Sequence, residues 1–273
     1  YWIMTFYARI YLLLIYSCFS QTIILGTTPK YDIEEQIKRF RYLNLFLQAK
    51  SEHTIEFDIA ETYESFIKHY SNGKYDIAFT SPIVFVQCRL KNSAIKPMAV
   101  IQNRGSTYYR SIIATRKDSP IQTINDLSGK IIAYGSTKST SRYIIPQYFL
   151  TKNGIKVHPD SFFDSSKEVS LYRLKSGNVE AVTLFHETYY QNESDLKIVF
   201  ESFKVPEYVF SYNSDSIEDN LFQTLQAILL DAPELIISQL RSSYTGVEPI
   251  KLTSFNHLIE LAKFSENLSL PNK

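Results

Sequence analysis

Glycine is scarce, with eight residues in a chain of 273, and no two of them lie two positions apart. That spacing excludes a G-x-G-x-x-G dinucleotide turn, and no G-x-x-x-x-G-K-[ST] phosphate loop is present. There are two cysteines, Cys18 and Cys88, which excludes a zinc ribbon and a disulfide scaffold. His53, His69, His158, His186 and His257 are scattered and never form H-E-x-x-H, so no metal site is expected. The G-x-S-x-G elbow of the serine hydrolases is missing too. Excess charge of either sign is also lacking. The 29 Lys and Arg against 28 Asp and Glu leave a formal charge of +1, so a phosphate-coated duplex is not an expected partner.

What remains is ordinary globular material, 44% apolar and 21% charged, long enough for two lobes. The first twenty residues read differently. Arg9 precedes the seven-residue apolar run Ile10–Tyr16, which exits into Ser17, Cys18, Phe19 and Ser20. Such a run is too short to span a bilayer and fits an exported leader over residues 1–20. Ile15-Tyr-Ser-Cys18 also loosely matches a bacterial lipobox, in which the leader ends at Ser17 and Cys18 becomes the lipid anchor.

Periodicity gives the organisation beyond it. Ile23-Ile-Leu-Gly26 reads as a strand, and Asp32 with Glu35 caps a helix on which Ile33, Ile37, Phe40, Leu43 and Leu47 share one face. Ile55, Phe57 and Ile59 alternate as a strand. A helix over 62–70, a turn at Asn72-Gly73, a strand over 75–79 and a helix opened by Ser81-Pro82 follow, as in a parallel β-α-β-α unit. A chain crossing is expected after Ile101, through the polar stretch 102–107, and a return near Pro206; the remainder reads as mostly helical.

The most informative stretch is the strand Lys130–Tyr134 handing over to Gly135-Ser-Thr-Lys-Ser139-Thr140-Ser141 and a helix that Asn153-Gly154 closes. Free backbone N–H groups, a helix macrodipole and hydroxyl donors together make an anion cradle. Plain capping uses the same residue types. Pro146 in the second turn requires either that the regular helix start near Ile145 or that it be kinked.

Four blocks in order, Tyr109-Arg-Ser with Lys117-Asp-Ser119, Asn125-Asp-Leu-Ser-Gly-Lys130, Ser139-Thr-Ser and Pro146, resemble the phosphonate-binding (PhnD-like) substrate-binding proteins of ABC importers, which are type 2 periplasmic binding proteins. The resemblance covers about residues 22–210. It implies an α/β, two-lobed type 2 periplasmic-binding-protein fold, each lobe a mixed sheet flanked by helices. Residues 21–105 with 206–273 would form lobe I and 106–205 lobe II, hinged near 102–109 and 200–208.

The same resemblance puts ligand hydroxyls on Ser139, Thr140 and Ser141, phenol contacts on Tyr63 and Tyr109, and a carboxylate for a ligand amine on Glu187. A second carboxylate would fall near Glu207 or Tyr208. Arg142 replaces a glycine of the pattern, either obstructing the ligand or supplying it a cation. The implied function is capture of a phosphonate, phosphate or phosphite by a monomer outside the cytoplasm, without cofactor or turnover, for a membrane permease and its ATPase. The alternatives are a sensor component of a signalling system and an enzyme with Ser139 or Ser141 as nucleophile.

Overall fold

The computed structural model describes residues 22–164 and 166–268; the expected leader, with Cys18, lies outside them. β1 (Thr22–Thr27) buries Ile23 and Leu25 completely. α1 (Ile33–Ser51), β2 (Thr54–Ile59), α2 (Tyr63–Ser71), β3 (Ile77–Thr80), α3 (Pro82–Lys91) and β4 (Ile95–Asn103) follow. After a short β5 (Tyr108–Tyr109) come β6 (Ser111–Arg116), β7 (Ile132–Tyr134), α4 (Ile145–Lys152), β8 (Phe162–Phe163), α5 (Lys167–Lys175), β9 (Ala181–Phe185), α6 (His186–Tyr190) and β10 (Leu196–Glu201). The chain then passes through β11 (Val205–Pro206), β12 (Val209–Asn213), α7 (Asp219–Leu230), α8 (Glu234–Leu240), β13 (Tyr244–Pro249) and α9 (Ile259–Glu266).

The strands form two mixed sheets, and with their flanking helices these make the two lobes. One sheet has the order β13-β4-β12-β3-β1-β2 and the other β10-β6-β9-β7-β8. β1 is parallel to both β2 and β3, as the β-α-β-α reading requires. Between the sheets, β5 and β11 pair antiparallel through Tyr109 with Val205 and Tyr108 with Pro206.

Local sequence explains the elements that position the cleft. α1 starts where Asp32 accepts from the Glu35 N–H at 2.9 Å. Its buried face is Gln36, Phe40, Leu43, Leu47 and Ser51, each large apolar member contributing roughly 1.5–3 kcal/mol by burial. Ile33 and Ile37, on the same helical stripe by periodicity, are exposed in the first turns of α1. Gln36 takes the inward place instead and holds the preceding loop. Its Oε1 accepts from the N–H groups of Lys30 and Tyr31 at 3.0 and 3.2 Å, and its Nε2 donates to the Thr28 carbonyl at 2.8 Å. At Gly26 a Cβ would fall 2.4–2.7 Å from ring carbons of Tyr75, so only glycine lets that ring lie against β1.

The remainder is mostly helical, as expected, through α7, α8 and α9, but it also contributes two strands that the sequence pattern does not announce. β12 lies in the middle of the first sheet, between β4 and β3, and β13 forms its edge. All five residues of β12 are buried. A strand covered on both faces loses the alternation that betrays a half-exposed one. Of the two readings at Pro146, the structure takes the late start: Thr140–Ile144 is a π-helical turn and α4 begins at Ile145, with Pro146 in the first turn where its missing N–H costs nothing.

Candidate functional site

In an open α/β sheet, ligands bind beyond the carboxyl ends of the parallel strands. Here six such loops face one cleft of about 560 Å³. Lys30 and Tyr31 follow β1, Tyr63 follows β2 and Ser81 follows β3; Ser136 to Arg142 follow β7, Ser166 to Glu168 follow β8, and Glu187 and Thr188 follow β9. Arg104, Tyr109, Glu207 and Tyr208 from the crossings and Arg241 beyond α8 complete the wall. Past Tyr63, Ser81, Lys138 and Thr140 the cleft adjoins a second cavity of about 560 Å³ lined in part by Ile67, Ile83, Val84 and Ile144. Among the described residues no group of three or more His, Cys, Asp or Glu could hold a metal ion.

The turn after β7 has the geometry of an anion cradle. The Ser139 hydroxyl accepts from the Arg142 N–H at 3.2 Å, and the Ser139 carbonyl accepts from the N–H groups of Tyr143 and Ile144 at 3.1 and 3.0 Å. The Ser141 carbonyl accepts from the Ser111 hydroxyl, and the Arg142 carbonyl from the Thr183 hydroxyl at 2.6 Å. The acceptors of the turn are therefore engaged from inside lobe II. The N–H groups of Thr140 and Ser141 have no acceptor among the described residues. Thr140 is buried beside the Tyr109 phenol, which stacks on Phe185 at 5.0 Å, and burial pushes that phenol well above its ordinary pKa so that it stays a neutral donor.

Arg142 projects into lobe II. Its Nε donates to the Thr183 carbonyl at 3.2 Å and its guanidinium to the Ser170 hydroxyl at 2.7 Å, which in turn donates to Asp164 at 3.2 Å. Gly135 makes room for it: a Cβ there would fall 2.6 Å from the Arg142 Cβ.

Charge is concentrated in this cleft. Lys30, Arg104, Lys138, Arg142, Lys167 and Arg241 line it, against Glu168, Glu187 and Glu207. Six basic against three acidic residues is a marked surplus in a chain whose formal charge is only +1, and it selects anions. Among the described residues three ion pairs cross from one lobe to the other, Lys138 to Glu64 at 2.6 Å and Arg104 to Glu187 at the cleft, and Lys152 to Glu260 at 3.8 Å outside it. Glu207 is buried, accepts from Asn103 Nδ2 at 2.9 Å, and has its carboxyl pushed up by desolvation against the opposing pull of Asn103, Arg241 and Lys30.

Comparison with known proteins fits this geometry. A family described as "ABC transporter, phosphonate, periplasmic substrate-binding protein" matches residues 25–253. The chain belongs to that family. The phosphate-import protein PhnD of Mycolicibacterium smegmatis is 24% identical over 140 residues, covering 50% of this chain and 44% of the relative, so the match spans less than half of that protein. PhnD1 of Prochlorococcus marinus in complex with methylphosphonate superposes with a TM-score of 0.68 at 14% identity, over 91% of this chain and 100% of that one. XAC2383 of Xanthomonas citri bound to ATP gives 0.73 at 18%, over 91% and 98%. At these identities the structural likenesses establish the two-lobed periplasmic-binding fold.

In this phosphonate-binding family member, the structure brings Tyr63, Tyr109, Ser139, Thr140, Ser141, Arg142 and Glu187 to one cleft. Two of them have partners that the sequence does not announce: Arg142 braces lobe II, and Glu187 is paired with Arg104. Tyr63 opens α2, with the Lys138 ammonium 5.8 Å from its ring centre. Sequence reasoning missed Lys30, Arg104 and Arg241. The signal for Lys30 was its place in the loop after the first parallel strand; Arg104 and Arg241 stand beyond antiparallel or helical segments, where no strand-end rule points. For the alternative with Ser139 or Ser141 as nucleophile, His186 does not stand in this cleft as a base. Its Nδ1 accepts from the Arg110 N–H at 3.4 Å.

Proposed function

We propose that this protein captures a phosphonate or a related phosphorus oxyanion by closing its two lobes on it, and that it delivers the ligand to a membrane permease served by a separate ATPase. The observation that carries the reading is the pair of unengaged N–H groups at Thr140 and Ser141, set among hydroxyls in a cleft with surplus positive charge. Tyr63, Tyr109, Ser139, Thr140 and Ser141 supply neutral donors to the phosphoryl oxygens. The surrounding lysines and arginines draw the anion in. Closure excludes water and strengthens each hydrogen bond. No bond is made or broken, and the protein acts as an extracytoplasmic monomer.

Lobe I comprises residues 21–105 and 206–273 and lobe II residues 106–205. The hinge runs through 102–109 and 200–208, and the ladder of β5 with β11 within those segments supports the assignment.

A thermal-shift and calorimetry series with phosphate, phosphite, methylphosphonate and 2-aminoethylphosphonate, with sulfate as control, tests the function. A ligand that binds only the folded state raises the melting temperature. The expected result is a rise with at least one phosphorus compound, exceeding that with sulfate, and full recovery of the compound unchanged. No shift with any of them, or release of a reaction product, would reject the reading.

A further inference from the structure

The cavity past Tyr63 is as large as the ligand cleft, about 560 Å³, and pockets that hold whole small molecules run from about 300 to 1,000 Å³. Its apolar lining comes from four places in the chain. α2 supplies Ile67, α3 supplies Ile83 and Val84, the π-helical turn supplies Ile144, and Leu268 follows α9.

The amide and the charged residues of this cavity are already engaged. Gln87 Nε2 donates to the Ser265 hydroxyl at 2.9 Å, Lys91 pairs with Glu266 at 3.3 Å, and Glu64 pairs with Lys138 at 2.6 Å. A charged group placed there would have to displace one of these partners. An apolar group meets five aliphatic side chains and breaks nothing.

Shared residues fix where the cavity lies relative to the phosphoryl site. Tyr63, Ser81, Lys138 and Thr140 line both spaces. Thr140 is also the residue whose N–H has no acceptor among the described residues. An oxyanion held at that N–H therefore sits at the junction, and a substituent on its phosphorus can pass directly into the second cavity. The Lys138–Glu64 pair beside the junction is exposed and yields at little cost.

We propose that the ligand carries an apolar substituent of several carbons on its phosphoryl head, and that the head sits at the Ser139–Ser141 turn while the substituent lies in the cavity between α2, α3 and the π-helical turn. The proposal rests on the function argued above and narrows its ligand class. An alkyl or aryl phosphonate and a phosphate monoester share this chemistry.

Calorimetry on the intact protein with methyl-, propyl-, pentyl- and phenylphosphonate and with butyl phosphate tests it. Full burial of one methylene strengthens binding about fourfold. Pentylphosphonate should therefore bind at least tenfold tighter than methylphosphonate, and the heat capacity of binding should grow more negative along the alkyl series. Butyl phosphate, matched in chain length to pentylphosphonate, distinguishes an ester from a carbon–phosphorus compound. Ile67→Trp, which fills the cavity from a half-buried position, should lower the ratio of affinities, pentyl over methyl, at least fivefold. Val84→Thr, of the same shape but polar, should lower it at least twofold. Equal affinity along the series would overturn the inference. So would a rising series whose ratio is unchanged in both variants, since the substituent would then lie elsewhere in the cleft; either result leaves the phosphorus site standing. Failure of every phosphorus compound to bind would remove the site itself.

Discussion

Thr140 is the residue on which lobe II chemistry and the hinge meet, since its buried side chain adjoins the Tyr109 phenol and its N–H is unengaged. Thr140→Ala should weaken phosphorus-oxyanion binding by about 1–3 kcal/mol, the cost of leaving a charged oxygen short of one donor. Thr140→Ser should recover most of it. Calorimetry that shows the same affinity in all three proteins would take Thr140 out of the site. Arg142, two positions on, poses a different question, because its guanidinium serves Thr183 and Ser170 inside lobe II. The departure from the glycine of the resembled pattern is thus tied to Gly135, over which the arginine packs. Gly135→Ala should cost roughly 1–3 kcal/mol in urea unfolding through overpacking. In an Arg142→Gly background most of that cost should vanish, since the two sites are in contact and their effects are not additive. An undiminished cost in that background would locate the strain elsewhere.

The elements divide into those whose cause is local and those whose cause is remote. The strand, hydroxyl turn and helix of residues 130–152 were legible because capping, dipole and proline rules act within a few positions, and the π-helical turn is a small shift in where the regular helix begins. β12 and β13 were not legible. β12 is buried on both faces, and β13 is an edge strand completed by pairing to β4, a partner far away in sequence. The ion pair of Arg104 with Glu187 is of the same kind, as both residues look like surface charges until the fold sets them together. The two-residue ladder of β5 with β11 is the most testable of these elements. It is flanked by bonds from the Glu207 N–H to the Thr107 carbonyl and from the Ser202 N–H to the Ser111 carbonyl, both at 2.9 Å. A hinge opens at lower cost than a sheet core. Amide exchange in 107–111 and 202–207 should therefore slow on ligand binding, while β4 and β12 keep their protection. Uniform slowing over both sheets, or slowing confined to a terminus, would place the hinge elsewhere.

Over the whole molecule, the ion pairs between lobes are too exposed to fix the closed state by themselves. The side chains of Lys138 and Glu64 are 41% and 71% accessible, and such pairs contribute about 0–1 kcal/mol. The ligand has to supply most of the bias toward closure, and the charge it meets depends on Glu207. Burial raises that carboxyl above its value in the unfolded chain, roughly 4.3. The native protein therefore holds a proton at pH values where the unfolded chain has lost it. This contribution to stability is complete below the unfolded value and is lost as pH rises through the native one. Glu207→Gln keeps an oxygen for Asn103 and has no proton to lose. The difference in unfolding free energy, wild type minus Glu207→Gln, should then fall steadily between about pH 4 and the native value and level off above it. Urea titrations across that range measure it. A constant difference would mean that Glu207 is not shifted by its surroundings, and one that grows with pH would mean that Lys30 and Arg241 outweigh burial and hold the carboxylate ionised.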